Sequence, residues 1–471
     1  MQALWSLSEL SAVFGSEAEG EGRPVTGVSI DSRTLRTGDL FVALKDQRDG
    51  HDFVSSAFRS GAAAALVEKS YRRRDDDGAL FRVSDTLAGL EALGRAGRAR
   101  LKTNARIVAV TGSAGKTGTK EMLRACLSKL GPTHASEKSY NNHWGVPLTL
   151  ARMPQDTLFG VFEIGMNHAG EIRPLTKMVR PHAAIITTVE AVHLEHFPSV
   201  AAIADAKGEI FEGLEVGGTA IIKHDSPYAA RLMDIAKRCN ARPMTFGFSV
   251  GADVRGEDLK LSDEGSDMAV LVGGRAFRFH LAMPGRHIAE NALAVAAAIS
   301  ALGADLERAL PALATLLPPS GRGARCMLHV DGGEALLIDE SYNANPASMR
   351  AALLTLGSVP RRKFPRRIAV LGDMLELGAE APLLHLGLKD AVEEADIDLV
   401  FACGPNMKNL YDALPAAKKG GYASTPSALE ATLMSHLRSG DAIMFKASNG
   451  TRLGPLVAAL KARFEREGSA A

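Results

Sequence analysis

The run Arg106-Ile107-Val108-Ala109-Val110-Thr111-Gly112-Ser113-Ala114-Gly115-Lys116-Thr117-Gly118-Thr119-Lys120-Glu121 constrains the fold of this chain more than any other segment. It reads as a buried strand, a glycine turn and a helix start. Such a junction aims backbone N–H groups and the positive end of a helix at one point, which makes a cradle for phosphate. Residues Gly112, Ser113, Ala114, Gly115, Lys116, Thr117 and Gly118 would line it, with the Lys116 ammonium at the terminal phosphates and the Thr117 hydroxyl available to Mg²⁺. The full P-loop pattern has a further glycine two positions before Gly112, where Val110 stands, so the loop is a shortened form. The bland alternative is an ordinary strand-to-helix turn.

A chain of 471 residues exceeds one ordinary core and suggests about three domains. A net charge of +1 with 23% charged residues gives no field that favours nucleic acid or an anionic membrane. The basic run Arg72-Arg73-Arg74 is followed by Asp75-Asp76-Asp77 and reads as a self-neutralising solvated loop. Cys126, Cys239, Cys326 and Cys403 form no CxxC pair, which argues against a disulfide framework or zinc site. The N-terminus lacks a basic n-region, and the best apolar candidate, residues 289–302, is too short to span a bilayer and contains Glu290 and Asn291. The expectation is a cytoplasmic monomer, with neither nucleic-acid binding nor membrane insertion.

Three α/β regions are expected, at 1–103, 104–316 and 317–471. The first has strand-like runs at Leu40–Leu44 and Ala64–Val67 and an Arg-rich helix from Leu87 to Leu101. The second alternates helices with strands near Ile107–Val110, Leu158–Ile164, Ala183–Val189 and Thr219–Ile222, the signature of a mostly parallel sheet. From Asp258 to Ala282 a period-two pattern suggests appended antiparallel hairpins, and a helix from about His287 to Leu302 closes the region. After Pro318-Pro319-Ser320-Gly321 a new series begins at Ala335–Ile338 and continues through Ile368–Leu371, Leu399–Ala402 and Ala442–Phe445, a doubly wound, Rossmann-like sheet.

Several polar residues stand at strand ends or in loops that such a sheet turns toward its ligand crevice. Glu163 ends a strand and could supply a hard oxygen donor to Mg²⁺. His193 lies in the loop after the next strand, and Lys207 sits among small residues in a helix; taken singly, each would pass for an ordinary surface side chain. Asn141 and Asn142 form a polar loop whose bland reading is turn chemistry. Arg322 follows the Pro-Pro-Ser-Gly junction, and Asp339 ends a strand before Tyr342-Asn343-Ala344-Asn345-Pro346; both could meet a nucleotide across a domain cleft.

In this order the short phosphate loop, Tyr140-Asn141-Asn142, Glu163-Ile164-Gly165-Met166-Asn167, the His193 loop, Ala206-Lys207-Gly208-Glu209-Ile210 and His287 through Leu293 resemble the Mur ligases, the ATP-dependent amide ligases that build the peptidoglycan precursor. The resemblance runs through nearly the whole chain. It implies that Thr117 and Glu163 hold one Mg²⁺, that His193 and a carbamylated Lys207 help hold a second, and that Asn291, Arg322 and Asp339 contact ATP. Lys116, Lys207, His193 and Arg322 are thereby implied as catalytic. The segments Asp339–Pro346 and Val370–Gly378 resemble the branch that joins D-alanyl-D-alanine to UDP-N-acetylmuramoyl-tripeptide, and the Asp-Asn-Pro-Arg motif of the branch adding the third amino acid is missing. Ser29–Arg33, Gly38–Leu44 and Asp49–Phe53 resemble the UDP-binding domain shared by both branches, which implies precursor contacts at Asp31, Ser32 and Arg33, joined by Asn141 and Asn142. Thr188, Glu190, Ile288 and Ala447 depart from the commoner family pattern.

The implied reaction activates a peptide carboxylate as an acyl phosphate, which an amine then attacks. The alternatives are a third-residue-adding or folylpolyglutamate-synthase-like ligase, a P-loop switch and a UDP-precursor-binding scaffold. Whether the tripeptide carries meso-diaminopimelate or lysine is open.

Overall fold

In the computed structural model, which describes residues 3–137, 139–192 and 194–464, the alternation of strands and helices resolves into three sheets. The first is β1 (Gly27–Ser29), β2 (Asp39–Val42), β3 (Ala64–Glu68) and β4 (Ala79–Val83), parallel and in chain order. The helix Thr86–Ala99 follows, capped by Asp85, whose carboxylate accepts from the N–H groups of Leu87 and Ala88 at 2.7 and 3.0 Å. It lies directly on the helix Gly145–Ala151, so close that a Cβ on Gly97 would strike the Leu150 carbonyl. One apolar cluster therefore unites Trp5, Leu10, Leu90 and Leu93 with Leu148 and Ala151.

The central sheet contains β5 (Arg106–Thr111), β6 (Thr133–Ala135), β7 (Phe159–Glu163), β8 (Ala183–Ile186), β9 (Thr219–Lys223), β10 (Arg242–Gly247), β11 (Val254–Leu261), β12 (Ser266–Val272) and β13 (Arg275–Leu281). Its spatial order is β13-β12-β11-β10-β9-β8-β5-β7-β6. Strands β5 to β11 run parallel, while β12 and β13 extend the edge in antiparallel pairing, as the period-two pattern predicts. At β5 the order reverses, with β7 on one side and β8 on the other, and open α/β sheets bind ligands beyond the carboxyl end of such a strand. The phosphate loop leaves there and enters the helix Lys116–Ser128. That helix packs against Arg286–Ala301, which is buried along most of its length and rich in alanine at 289, 292, 294 and 296–298. Small side chains permit the close approach that carries Asn291 to the loop.

The third sheet contains β14 (Ala324–Val330), β15 (Gly333–Glu340), β16 (Arg366–Gly372), β17 (Leu399–Cys403), β18 (Lys419–Ala423) and β19 (Asp441–Lys446), in the order β14-β15-β19-β16-β17-β18. It is parallel except for β14, so the series opens one strand earlier than Ala335. Pairing of Val330 with Gly333 leaves Asp331-Gly332 as a two-residue hairpin turn, a local signal that marks the edge strand.

The Arg72–Asp77 stretch is not simply a self-neutralising solvated loop. Asp77 turns inward, is 6% exposed, and accepts from Tyr71 Oη (2.8 Å), Ser55 Oγ (3.1 Å) and the Arg74 N–H (2.8 Å). A carboxylate with three donors is stable inside, whereas Asp75 and Asp76 stay exposed. Among the described residues, no helix is long and apolar enough to cross a membrane.

Candidate active site

Backbone geometry makes the phosphate loop. Gly115 has φ +81°, and a Cβ there would lie 2.7 Å from Asn291 Oδ1; Gly112 has φ +150°, and a Cβ there would collide with Thr187 Oγ1. Both positions need the missing side chain for conformation and for space. Lys116 Nζ donates to the Gly112 carbonyl at 2.7 Å, folding its ammonium back over the loop. Thr188 and Glu190 brace the loop from the β8 side: the Ser113 N–H donates to the Thr188 carbonyl (2.8 Å), and the Glu190 N–H donates to Ser113 Oγ (2.9 Å).

At the carboxyl end of β7, Glu163 is 1% exposed. Its carboxylate accepts from Thr117 Oγ1 at 2.8 Å and from Asn141 Nδ2 at 2.7 Å. Lys116 keeps part of its surface open, yet the atoms packed round it lower its pKa; the Glu163 charge opposes that shift and Arg322 adds to it. Lys207, in the last turn of the helix Val200–Gly208, is 2% exposed. Burial, reinforced by the Lys116 charge, pushes its pKa well below the usual lysine range. Among the described residues its ammonium has no hydrogen-bond or ion-pair partner to compensate a charge there.

Thr117 and Glu163 offer buried oxygen donors of the kind a hard divalent cation takes, next to a loop shaped for phosphate, and so fit Mg²⁺. The described residues contain no group of three or more His, Cys, Asp or Glu side chains that could cage a metal. An ion at this place would therefore draw the rest of its shell from phosphate and water, the usual habit of Mg²⁺. His193, expected beside Lys207, lies outside the described residues.

The third region reaches the same cleft. The Arg322 guanidinium stacks 4.1 Å from the centre of the Tyr342 ring and donates to Ser139 Oγ at 3.2 Å. Asn345 Nδ2 donates to the Ser113 carbonyl at 3.4 Å. Asp339 is buried and holds the turn that carries Arg322, accepting from the N–H groups of Gly321 (3.1 Å) and Ser341 (3.2 Å) and from Ser341 Oγ (2.6 Å). A cavity of about 30 Å³ between the two regions is lined by His287, Ile288, Arg322, Gly323, Ile338 and Glu340. Glu340 there pairs with buried Lys446 at 3.2 Å, a partnership that separation along the chain conceals. Tyr342 and Asn345 join the cleft as well; their segment stands out in the sequence, but no local pattern gives either residue a role.

The expected precursor residues divide. Asp31 and Arg33 pair in a forked contact, with 2.9 Å from Nε and 2.7 Å from Nη2, in the turn after β1, where Ser32 stands between them. Asn141 turns to Glu163, and Asn142 Oδ1 accepts from the N–H groups of Trp144 (3.2 Å) and Gly145 (2.9 Å) at the start of the next helix.

Over 403 residues the chain is 37% identical to UDP-N-acetylmuramoyl-tripeptide–D-alanyl-D-alanine ligase of Escherichia coli (strain K12), covering 85% of this chain and 86% of that protein. The chain belongs to the Mur ligase family. Family models agree along its length: the Mur ligase family catalytic domain matches residues 24–126, the Mur ligase middle domain 110–299, and the Mur ligase glutamate ligase domain 325–449. The fold is similar to that of MurF from Acinetobacter baumannii, with TM-score 0.84 and 30% identity over 97% of this chain and 99% of that one. It is also similar to the MurF ligase from Thermotoga maritima in complex with ADP, with TM-score 0.76 and 25% identity over 93% of this chain and 99% of that one. As a Mur ligase the chain has the three-sheet α/β architecture expected from its sequence. Thr188 and Glu190 bind the phosphate loop through main-chain atoms, the Thr188 carbonyl and the Glu190 N–H.

Proposed function

We propose that this chain is an ATP-dependent amide ligase that joins D-alanyl-D-alanine to UDP-N-acetylmuramoyl-tripeptide, giving the pentapeptide precursor of peptidoglycan. The observation that carries the reading is the Thr117–Glu163–Asn141 chain beside Lys116, its Thr117 and Glu163 buried, built at the switch point of a sheet whose relatives carry this activity in their names. Regions 1–103, 104–316 and 317–471 then serve as precursor-binding, ATP-binding and closing domains.

A carboxylate is too poor an electrophile to accept an amine. Transfer of the ATP γ-phosphoryl group to the tripeptide carboxylate gives an acyl phosphate and ADP; the dipeptide amine adds to the acyl carbon, loses a proton and expels phosphate. Such transfers need positioning and charge neutralisation rather than a nucleophilic side chain. Gly112, Ser113, Ala114, Gly115 and Gly118 cradle the phosphates, Lys116 neutralises their terminal oxygens, and Arg322, aimed from the third region, adds a second cation. Asn291 and Asp339 contact ATP from the central helix and the third sheet. Asp31, Ser32, Arg33, Asn141 and Asn142 orient the precursor.

Thr117 and Glu163 would hold one Mg²⁺ and His193 with a carbamylated Lys207 a second, the ions supplying charge neutralisation at the phosphoryl oxygens. Burial favours the neutral amine of Lys207, the form that adds CO₂, losing one proton and leaving an anionic carbamate in place of a poor ligand. The test is phosphate release from ATP with each substrate omitted in turn, on tripeptides ending in meso-diaminopimelate or lysine, with and without bicarbonate. Release that needs both tripeptide and D-alanyl-D-alanine, and rises with bicarbonate, is expected. Release independent of either substrate would instead identify a switch, and tight precursor binding without turnover a scaffold.

A further inference from the structure

Consecutive N–H groups of the phosphate loop, those of Ala114, Gly115, Lys116 and Thr117, donate to no protein group among the described residues. They are the donors that a helix start leaves open to an anion. A peptide unit is planar and trans, so its N–H and C=O point in opposite directions, and whatever holds one aims the other. The Ser113 carbonyl, which shares a peptide unit with the Ala114 N–H, is taken by Asn345 Nδ2 at 3.4 Å, from the third region. The Ala114 carbonyl, which shares a unit with the Gly115 N–H, is taken from within the central sheet.

Its donor is Thr187, the residue after β8, which is buried. Thr187 Oγ1 lies 2.5 Å from the Ala114 carbonyl oxygen and 3.3 Å from that of Thr111, so the single hydroxyl proton goes to Ala114. The Thr187 N–H donates to the Thr111 carbonyl at 3.0 Å, which continues the pairing of β8 with β5 and fixes the residue by its backbone. Branching at Cβ restricts its χ1 as well. Gly112 makes the room, since a Cβ there would lie 1.9 Å from Thr187 Oγ1. Among the described residues no other group donates to the Ala114 carbonyl.

This bond matters because the peptide it holds is free to turn. Turning the unit over carries φ of residue 115 from +81° into the negative region, and glycine accepts both. One orientation offers the phosphates an N–H; the other offers a carbonyl oxygen, which repels them. We infer that Thr187 is a positioning residue for ATP, its hydroxyl locking the Ala114–Gly115 peptide with the Gly115 N–H turned into the phosphate cradle. The inference rests on reading the loop as a nucleotide site. The Gly115 donor is held by the sheet that carries the loop, whereas the Ala114 N–H owes its direction to Asn345 across the cleft.

The test measures, within each protein, the ratio of affinities for ATP and for adenosine, by competition against a fluorescent nucleotide. Adenosine has no phosphate to meet the loop, so the ratio isolates the cradle and does not depend on the fraction correctly folded. Thr187→Val keeps the shape but leaves the Ala114 carbonyl without a donor, and its ratio should fall about ten- to hundredfold, the worth of one hydrogen bond to a charged group. Thr187→Cys, with only a weak S–H donor, should fall in the same direction, and Thr187→Ser, which keeps the hydroxyl, should stay within about threefold of the wild type. In turnover, Thr187→Val should raise KM for ATP and leave KM for the tripeptide and the dipeptide unchanged. Val and Cys variants with the wild-type ratio, or a Ser variant as weak as Val, overturn the role of Thr187 while leaving the nucleotide site intact. A wild-type chain that binds ATP no better than adenosine overturns the nucleotide reading as well.

Discussion

Replacing Glu163 by Gln separates charge from shape at the centre of the site. The side chain is 1% exposed and accepts from Thr117 at 2.8 Å and Asn141 at 2.7 Å. Gln has nearly the same shape: its oxygen keeps the Thr117 bond, and Asn141 keeps its own by turning its amide oxygen toward the new NH₂. Two charge-assisted bonds of about 1.5–3 kcal/mol each become neutral ones of about 0.5–1.5 kcal/mol. Against that loss, the several kcal/mol spent on burying an ion disappears. The terms offset, so without metal the variant should stay within about 1 kcal/mol of the wild type, a shift of about 2–4 °C for a region of this size. A ligand at a hundred times its Kd stabilises by about 2.7 kcal/mol, and the wild type should gain this from Mg²⁺-ATP where the variant gains little. Turnover should fall about 10²- to 10³-fold, as when one preorganised electrostatic group is removed. Thermal unfolding in EDTA and in Mg²⁺-ATP, beside coupled phosphate release, measures all three quantities. A variant that melts many degrees early in EDTA would show that the carboxylate is structural, and wild-type turnover would remove Glu163 from the chemistry.

Lys207→Met should abolish turnover and reveal the buried amine in urea midpoints. Because the folded pKa of Lys207 lies below its unfolded value of about 10.4, the unfolded chain binds the extra proton between the two. Wild-type stability relative to Met should therefore rise with pH across that window; a flat difference from pH 7 to pH 9.5 would contradict the depressed pKa. Gly115→Ala places a Cβ 2.7 Å from Asn291 Oδ1 at φ +81° and should cost about 1–2 kcal/mol of stability with at least tenfold weaker ATP binding by titration calorimetry. Arg322→Lys keeps the charge but loses the planar stack on Tyr342, so KM for ATP should rise about tenfold while the unfolding temperature stays put.

The alternation of apolar runs made the central sheet legible because its middle strands β5, β7, β8 and β9 are buried on both faces and show it in composition. The phosphate loop was legible for a different reason: its glycines answer a backbone demand, and its Lys and Thr follow at fixed offsets. Short edge elements were harder. Strand β6 spans only Thr133–Ala135 with half-buried residues, and β14 hides its start in the mixed run Ala324–Val330. Site residues that depend on docking were least legible. Asn345 meets Ser113 across 232 residues and Arg322 meets Ser139 across 183, and no local pattern encodes either partnership. Asn142 shows the converse case: the bland turn chemistry of asparagine accounts for its helix cap, while its neighbour Asn141 faces Glu163.

The helix Gly145–Ala151 is a joint with two owners. By chain it belongs to the central region, but Leu148 and Ala151 complete the apolar cluster of the first, where the Trp5 indole also caps the Ala151 carbonyl at 2.8 Å. Severing the chain near residue 103 and separating the pieces would therefore open the Leu148 side chain to water, which destabilises the central region by about 1.5–3 kcal/mol. The loop that enters this helix also holds Asn141 against Glu163. Any tilt of the first region on its seat is consequently passed, through one turn of backbone, to the carboxylate at the centre of the cleft.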